Sequence, residues 1–198
     1  MSLSSPGSQT PAPDITAAIL AGGRGLRMGG RDKGLVEFHG RPLVAHVCDA
    51  LRPQASHLLI IANRNAERYG MYAEAVFPDE LEGFQGPLAG MATALAHAPT
   101  DLVLCVPCDM PRLPADLAAR MARAMRELGL DACAAHDGTD MHPVVCLLRR
   151  SLADSLRDAL ARGQRQVRGW LTSQRFAWVD FSDQPQAFAN VNSPDALR

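Results

Sequence analysis

The segment Leu20-Ala21-Gly22-Gly23-Arg24-Gly25-Leu26-Arg27-Met28-Gly29-Gly30-Arg31-Asp32-Lys33 interleaves five glycines with four basic side chains. Glycines let a backbone approach a ligand closely and turn successive N–H groups inward, which makes an anion-binding concavity, and phosphate is the obvious guest. A flexible polar loop accounts for the glycines but not for their combination with four cations. Two common phosphate loops fail on inspection. The dinucleotide pattern G-x-G-x-x-G needs a third glycine where Met28 stands, and the P-loop pattern fails because Lys33 follows Asp32 and precedes Gly34.

Of the 20 basic residues, 19 are arginine and only Lys33 is lysine. Whatever favours arginine elsewhere, a lysine inside the glycine segment points to a place that needs a compact ammonium rather than a planar guanidinium fork. Chance survival of one lysine is the alternative, and its location argues against it. Asp109, in Cys108-Asp109-Met110-Pro111, follows an apolar run that reads as a strand, so it belongs at the same sheet edge. A carboxylate facing phosphates needs a cation between them, and Mg²⁺ takes one or two carboxylates plus phosphate oxygens. Asp109 is therefore the candidate metal ligand, with a turn or helix cap as its other reading. Asn63 ends the second of the apolar runs and Asp79 follows the third, either to cap a turn or, jointly with Asp109, to line a nucleotide pocket.

The elements that must position these groups are legible as short apolar runs alternating with amphipathic stretches. Strands are expected at Ile15 to Leu20, Leu58 to Ala62, Ala75 to Phe77 and Leu102 to Val106. Helices are expected at Pro42 to Leu51, Pro87 to Ala98 and from Leu113 to near Gly129, with Pro42 and Pro87 suited to first helical positions. A hairpin of Asp131 to His136 and Met141 to Leu148 turns at Asp137-Gly138; helices follow from Leu152 to Gly163 and around Val167 to Leu171, then a strand from Phe176 to Phe181. The expected fold is α/β: a Rossmann-like three-layer sandwich whose mixed, mostly parallel sheet carries helices on both faces.

Composition bounds the rest. With 47% hydrophobic residues and a net charge of −1, neither a disordered chain nor a phosphate-driven nucleic-acid module is expected. No run reaches the roughly 18 apolar residues of a membrane span, and the expectation is a soluble cytoplasmic protein. Residues 1–13, rich in Ser and Pro, read as a disordered leader, and 14–198 as a single domain. The five cysteines are odd in number and mostly sit in apolar runs, where a reduced thiol packs as a small hydrophobe; Cys105-x-x-Cys108 lacks the companions of a metal or redox site.

Assembled, these residues resemble the molybdenum cofactor guanylyltransferases, the MobA-type branch of the nucleotidyltransferases. The likeness runs from about Ile15 to the end. It rests on LAGGxxxRMGGxDKGL (Leu20 to Leu35), Gly40-Arg41-Pro42-Leu43, Ala62-Asn63-Arg64, Gly86-Pro87-Leu88-Ala89-Gly90-Met91, Pro107-Cys108-Asp109, Asp137-Gly138 with His142-Pro143, and Asn190-Val191-Asn192-Ser193-Pro194.

The resemblance implies a nucleotide-diphospho-sugar transferase-like fold in which Leu20, Ala21, Gly22 and Gly23, with Asn63 and Asp79, hold the guanosine of GTP. It implies Lys33 and Arg27 at the triphosphate and Mg²⁺ on Asp109. Gly86 and Gly90 would form the floor, and Asn190 and Asn192 would lie toward the pterin. The implied reaction is attack of the terminal phosphate of the molybdopterin cofactor on the α-phosphorus of GTP, with a molybdoenzyme or delivery protein receiving the product. That phosphate is already anionic near neutral pH, its second pKa being about 6, so no strong general base is required. His142 can be suspected as one, but a His before Pro in a strand reads first as a packing or hydrogen-bonding residue. The rival readings are cytidylyl transfer to the same cofactor, another sugar or pterin nucleotidyltransferase, and a non-catalytic nucleotide or cofactor carrier.

Overall fold

Alternation at period two along the central strands is what builds the molecule's layers. In the computed structural model, which describes residues 14–22, 32–79 and 86–191, β1 (Ile15–Leu20) sends Ile15, Ala17 and Ile19 into one core and Ala18 into another on the opposite face of the sheet. β6 (Leu102–Pro107) does the same, with Leu104 and Val106 on the first face and Val103 and Cys105 on the second. Both strands are buried on both faces, as parallel strands covered by helices must be.

With β4 (His57–Ile61), β5 (Ala75–Phe77), β7 (Ala132–His136), β8 (Met141–Arg149) and β9 (Phe176–Asp180), they form a seven-stranded sheet in the order β5-β4-β1-β6-β8-β7-β9. Only β8 runs against the others. The hairpin predicted across Asp137-Gly138 is the cause, and Gly138 takes a positive φ of 91° there. The first face carries α1 (Leu43–Leu51) and α4 (Leu117–Leu128). The second carries α3 (Pro87–His97), α5 (Ala153–Ala161) and α6 (Val167–Leu171). This is the mixed three-layer α/β arrangement that the sequence predicts.

Two local expectations change, and one element goes beyond them. Pro42 is not the first residue of α1. It pairs in a two-residue hairpin, β2 (Glu37–Phe38) with β3 (Arg41–Pro42), turned at His39 and Gly40 with φ of 49° and 75°. The first residue of α1, Leu43, donates its N–H to the Val36 carbonyl at 2.9 Å, so the hairpin and the helix are closed together. α4 begins at Leu117 rather than Leu113, because a residue before proline is pushed to extended backbone and Leu113 precedes Pro114; Leu113 is buried all the same. A single turn, α2 (Ala66–Tyr69), had no periodicity long enough to announce it. Cys105 and Cys108 lie in the cores on opposite faces of the sheet, and all five cysteines are free and buried. Burial pushes the Cys108 thiol up to about 12.

Candidate functional site

The chain leaves β1 toward β4 on one side and returns from β5 to β6 on the other, so the carboxyl ends of β1 and β6 form the switch point at which open α/β sheets bind ligands. Backbone bonds carry the sheet past both ends: Ala21 N–H reaches the Ile61 carbonyl at 2.8 Å, and Cys108 N–H reaches that of Leu20 at 3.2 Å. A cleft opens there. Its walls include Leu20, Ala21 and Gly22 after β1, Asp79 after β5, Gly86, Pro87 and Gly90 at the start of α3, and Pro107, Cys108 and Asp109 at the end of β6, with Lys33 and Val144.

One end of the cleft is built by Asn63 and Asp79. Asn63 Nδ2 donates to Asp79 Oδ2 at 2.8 Å, and the backbone N–H of Asp79 donates to Asn63 Oδ1 at 2.7 Å. Asn63 thus positions Asp79 and is not itself among the lining residues. Asp79 Oδ1 is buried without a hydrogen-bond partner among the described residues. Burial pushes the carboxyl above its ordinary value, and the Asn63 bond partly offsets this. Two glycines make room. A Cβ on Gly22 would lie 3.2 Å from Asp79 Oδ2, and one on Gly90 would lie 3.4 Å from Asp79 Oδ1 and 3.2 Å from Leu20 Cδ2. Gly86, just before α3, adopts φ 81° and ψ −171°, a region open essentially to glycine alone. It lets the chain turn into α3 with Pro87 and Gly90 on the cleft wall.

At the other end, Lys33 Nζ makes an ion pair with Asp109 Oδ2. The lone lysine and the Asp109 carboxylate, 76 positions apart in the chain, therefore meet at this end of the cleft. Lys33 opens a 3-10 turn (Lys33–Leu35), and the residue before it, Asp32, is held by the Tyr69 hydroxyl and by Asn65 Nδ2 at 2.8 Å. Tyr69 is fully buried, and Asn65 takes a left-handed φ of 55° to present its amide. Gly34 lies so close that a Cβ there would meet the Tyr69 oxygen at 2.5 Å. The backbone of Asp109 is fixed as well: its carbonyl accepts the Val191 N–H at 3.0 Å. Asn190, next to Val191, lines an adjoining cavity that shares Asp109 with the first.

Of the residues proposed from sequence, Leu20, Ala21, Gly22, Lys33, Asp79, Gly86, Gly90 and Asp109 come together in one cleft, Asn63 braces it, and Asn190 lies next door. Gly23, Arg27 and Asn192 lie outside the described residues. The sequence reading missed Asp32, Asn65 and Tyr69, which set Lys33 in place. Only the adjacency of Asp32 to Lys33 could have drawn attention to them.

Residues 17–177 match the model of the MobA-like NTP transferase domain. The chain belongs to the MobA-like NTP transferase family. Among its relatives is the molybdenum cofactor guanylyltransferase of Shewanella amazonensis, 50% identical over 92% of this chain and 93% of that protein. A second is the protein of the same name from Shewanella sp. strain MR-4, 47% identical over 91% and 92%. Solved structures share the MobA-like fold. Molybdopterin-guanine dinucleotide biosynthesis protein A from Archaeoglobus fulgidus superposes with a TM-score of 0.75 at 24% identity over 92% of this chain and 94% of that one. The 2-C-methyl-D-erythritol 4-phosphate cytidylyltransferase from Thermus thermophilus reaches 0.70 at 18% over 93% and 95%. At these identities the likeness is one of fold.

Proposed function

We propose that this chain transfers GMP from GTP to the terminal phosphate of the molybdopterin cofactor, releasing pyrophosphate and leaving the guanine dinucleotide form. The observation that carries this reading is Asp79 Oδ1, buried at the cleft with no hydrogen-bond partner among the described residues. An orphaned buried acceptor is costly and calls for donors from a ligand. Guanine offers two side by side, its N1–H and its 2-amino group, which suit the two oxygens of one carboxylate, whereas adenine and cytosine set an acceptor beside their amino group and uracil sets its one N–H between two carbonyls. The names carried by the relatives at 47–50% identity point the same way.

In this reading the backbone at Leu20, Ala21, Gly22 and Gly23 cradles the nucleoside, Asn63 orients Asp79 toward the base, and Gly86 and Gly90 keep the floor low. Lys33 and Arg27 face the triphosphate, and Asn190 and Asn192 face the acceptor. Among the described residues no three His, Cys, Asp or Glu side chains gather into a cage for a metal. Asp109 supplies one carboxylate at the cleft, a donor set that fits Mg²⁺, which completes its shell with phosphate oxygens and water. Bound there, Mg²⁺ would offset charge on the triphosphate and on the departing pyrophosphate. The protein's own part is positioning and fixed charge: Lys33 holds its ammonium where negative charge gathers, and the acceptor arrives already ionised.

Among the described residues no helix is long and apolar enough to cross a membrane. In this reading the enzyme works in the cytoplasm and passes its product to a molybdoenzyme or a delivery protein. The test is incubation with molybdopterin and each of the four nucleoside triphosphates in Mg²⁺ buffer. Pyrophosphate release and a guanine dinucleotide product are expected with GTP alone. Equal turnover of CTP would replace this reading with the cytidylyl one, and nucleotide binding without pyrophosphate would make the protein a carrier.

A further inference from the structure

The strand that carries His142 is irregular at the site. Along the β7–β8 ladder Ala134 pairs with Cys146, yet the next residue, Ala135, pairs with His142, so Pro143, Val144 and Val145 are extra residues on β8. Bulges of this kind bend a strand and re-aim its side chains, and they recur beside active sites. Here the bulge lies between the cleft and the adjoining cavity. Val144 lines both, as do Pro107 and Asp109, while His142, Asn190 and the exposed Met141 line the second.

His142 is held firmly. Its Nε2 lies 2.8 Å from Asp137 Oδ2, and its ring stacks on that of Phe188 with centroids 4.8 Å apart and planes 14° apart. Asp137 is fixed in turn, because its Oδ1 accepts the backbone N–H groups of Thr139 at 2.9 Å and Asp140 at 2.7 Å. Those bonds, with the one from His142, hold the Asp137 carboxyl down at about 2. An ionised carboxylate only accepts, so Nε2 is the donor to Asp137, and Nδ1, with no hydrogen-bond partner among the described residues, is the ring nitrogen open to a ligand. A packing histidine needs neither a dedicated, doubly anchored carboxylate nor a place on the wall of a cavity whose other polar lining residues are Asp109 and Asn190.

We propose that His142, oriented by Asp137, binds the attacking phosphate of the acceptor and sets it in line with the α-phosphorus of the nucleotide. The inference rests on the guanylyl-transfer reading and adds to it the residue that receives the second substrate. When the phosphate monoester enters, Nδ1 takes up one proton from solvent, and the ring, now between two anions, donates from both nitrogens, Nε2–H to Asp137 and Nδ1–H to a non-attacking phosphate oxygen. The attacking oxygen forms the new P–O bond to the α-phosphorus, the bond from that phosphorus to the bridging α,β-oxygen breaks, and pyrophosphate leaves with the electron pair. His142 gives up no proton in this step. Asp137 is a positioning residue, and Met141 offers an apolar thioether against the body of the acceptor.

The test separates the nitrogens. In His142→Gln the amide can still reach Asp137 from near the Nε2 position but has nothing at Nδ1, so a purely structural role survives it. We expect the KM for molybdopterin to rise roughly tenfold or more, as for loss of a charge-assisted hydrogen bond, with the GTP dissociation constant unchanged. Asp137→Asn should give a smaller rise of the same kind. An unchanged KM for molybdopterin in His142→Gln overturns the proposal. A second readout is independent of turnover: the His142 ring ¹⁵N signals of the wild-type protein should shift on addition of molybdopterin and stay in place with GTP alone. Should they shift while no GMP is transferred, the acceptor site stands and the guanylyl reading falls. If transfer proceeds with signals that ignore molybdopterin, the guanylyl reading stands and the role of His142 falls.

Discussion

Asn63 and Asp79, at the ends of adjacent strands, grip each other twice: the Asn63 amide donates to the Asp79 carboxylate, and its carbonyl accepts the Asp79 backbone N–H. The grip fixes one oxygen of Asp79 and leaves the other, Oδ1, buried and unsatisfied among the described residues. If that oxygen selects guanine, Asp79→Asn, with the same shape but a mixed donor and acceptor face, should lose roughly tenfold or more in GTP affinity. Affinity for ATP should change little, so the gap between the two nucleotides closes. Calorimetric titration with both reads this directly, and an unaltered gap would move base choice away from Asp79.

Asp109→Ala should abolish transfer without unfolding the protein, since the side chain borders a cleft rather than filling the core. Near-wild-type turnover at saturating Mg²⁺ would remove Asp109 from the metal. Thermal denaturation of the variant reports on the fold separately.

Lys33→Ala should lower the single-turnover rate far more than it weakens GTP binding, because charge stabilisation counts most where charge develops. Lys33→Arg should restore only part of the rate. The wider guanidinium has to enter a place shaped for a point charge against Asp109. An arginine variant as fast as wild type would show that the lysine is interchangeable with the residue this chain uses at every other basic position.

Tyr69→Phe keeps the buried ring and deletes the hydroxyl that holds Asp32. The carboxylate retains Asn65 but loses a buried donor, at a cost of about 1–3 kcal/mol in unfolding free energy. A fall in the transfer rate at unchanged KM for molybdopterin is expected alongside, because Asp32 sets Lys33 in place. Denaturant unfolding combined with steady-state kinetics checks both.

The Asp137 carboxyl, held at about 2 in the folded protein against an ordinary 3.8, predicts a pH-dependent contribution to stability. A depressed folded-state value means that the stabilisation is present above the unfolded value and is lost as pH falls through the folded one. The stability difference between wild type and Asp137→Asn should therefore be full at pH 7 and shrink from about pH 4 toward pH 2. Urea unfolding across that range measures it, and a pH-independent difference would show that the two amide bonds do not depend on the charge.

The sequence by itself determined the strands and most of the helices, because burial on both faces leaves continuous apolar runs and burial on one helical face leaves a 3.6-residue stripe. It also determined the candidate chemistry at Leu20 to Gly22, Lys33 and Asp109, since glycine beside cations at a strand end has few other uses. Periodicity has no purchase on the two-residue strands at Glu37 and Arg41 or on the single turn at Ala66, and only the tertiary structure decided those. It also decided which polar residues meet. Asp32 and Tyr69 are 37 positions apart and Lys33 and Asp109 are 76 apart, and a contact across such distances is set by strand order, which local pattern does not encode. His142 is the sharpest case. Its sequence context reads as packing or hydrogen bonding, and it does both, to Phe188 and Asp137; the three extra residues Pro143 to Val145, which set it on the wall of the cavity next to Asp109, are visible only in the β7–β8 pairing.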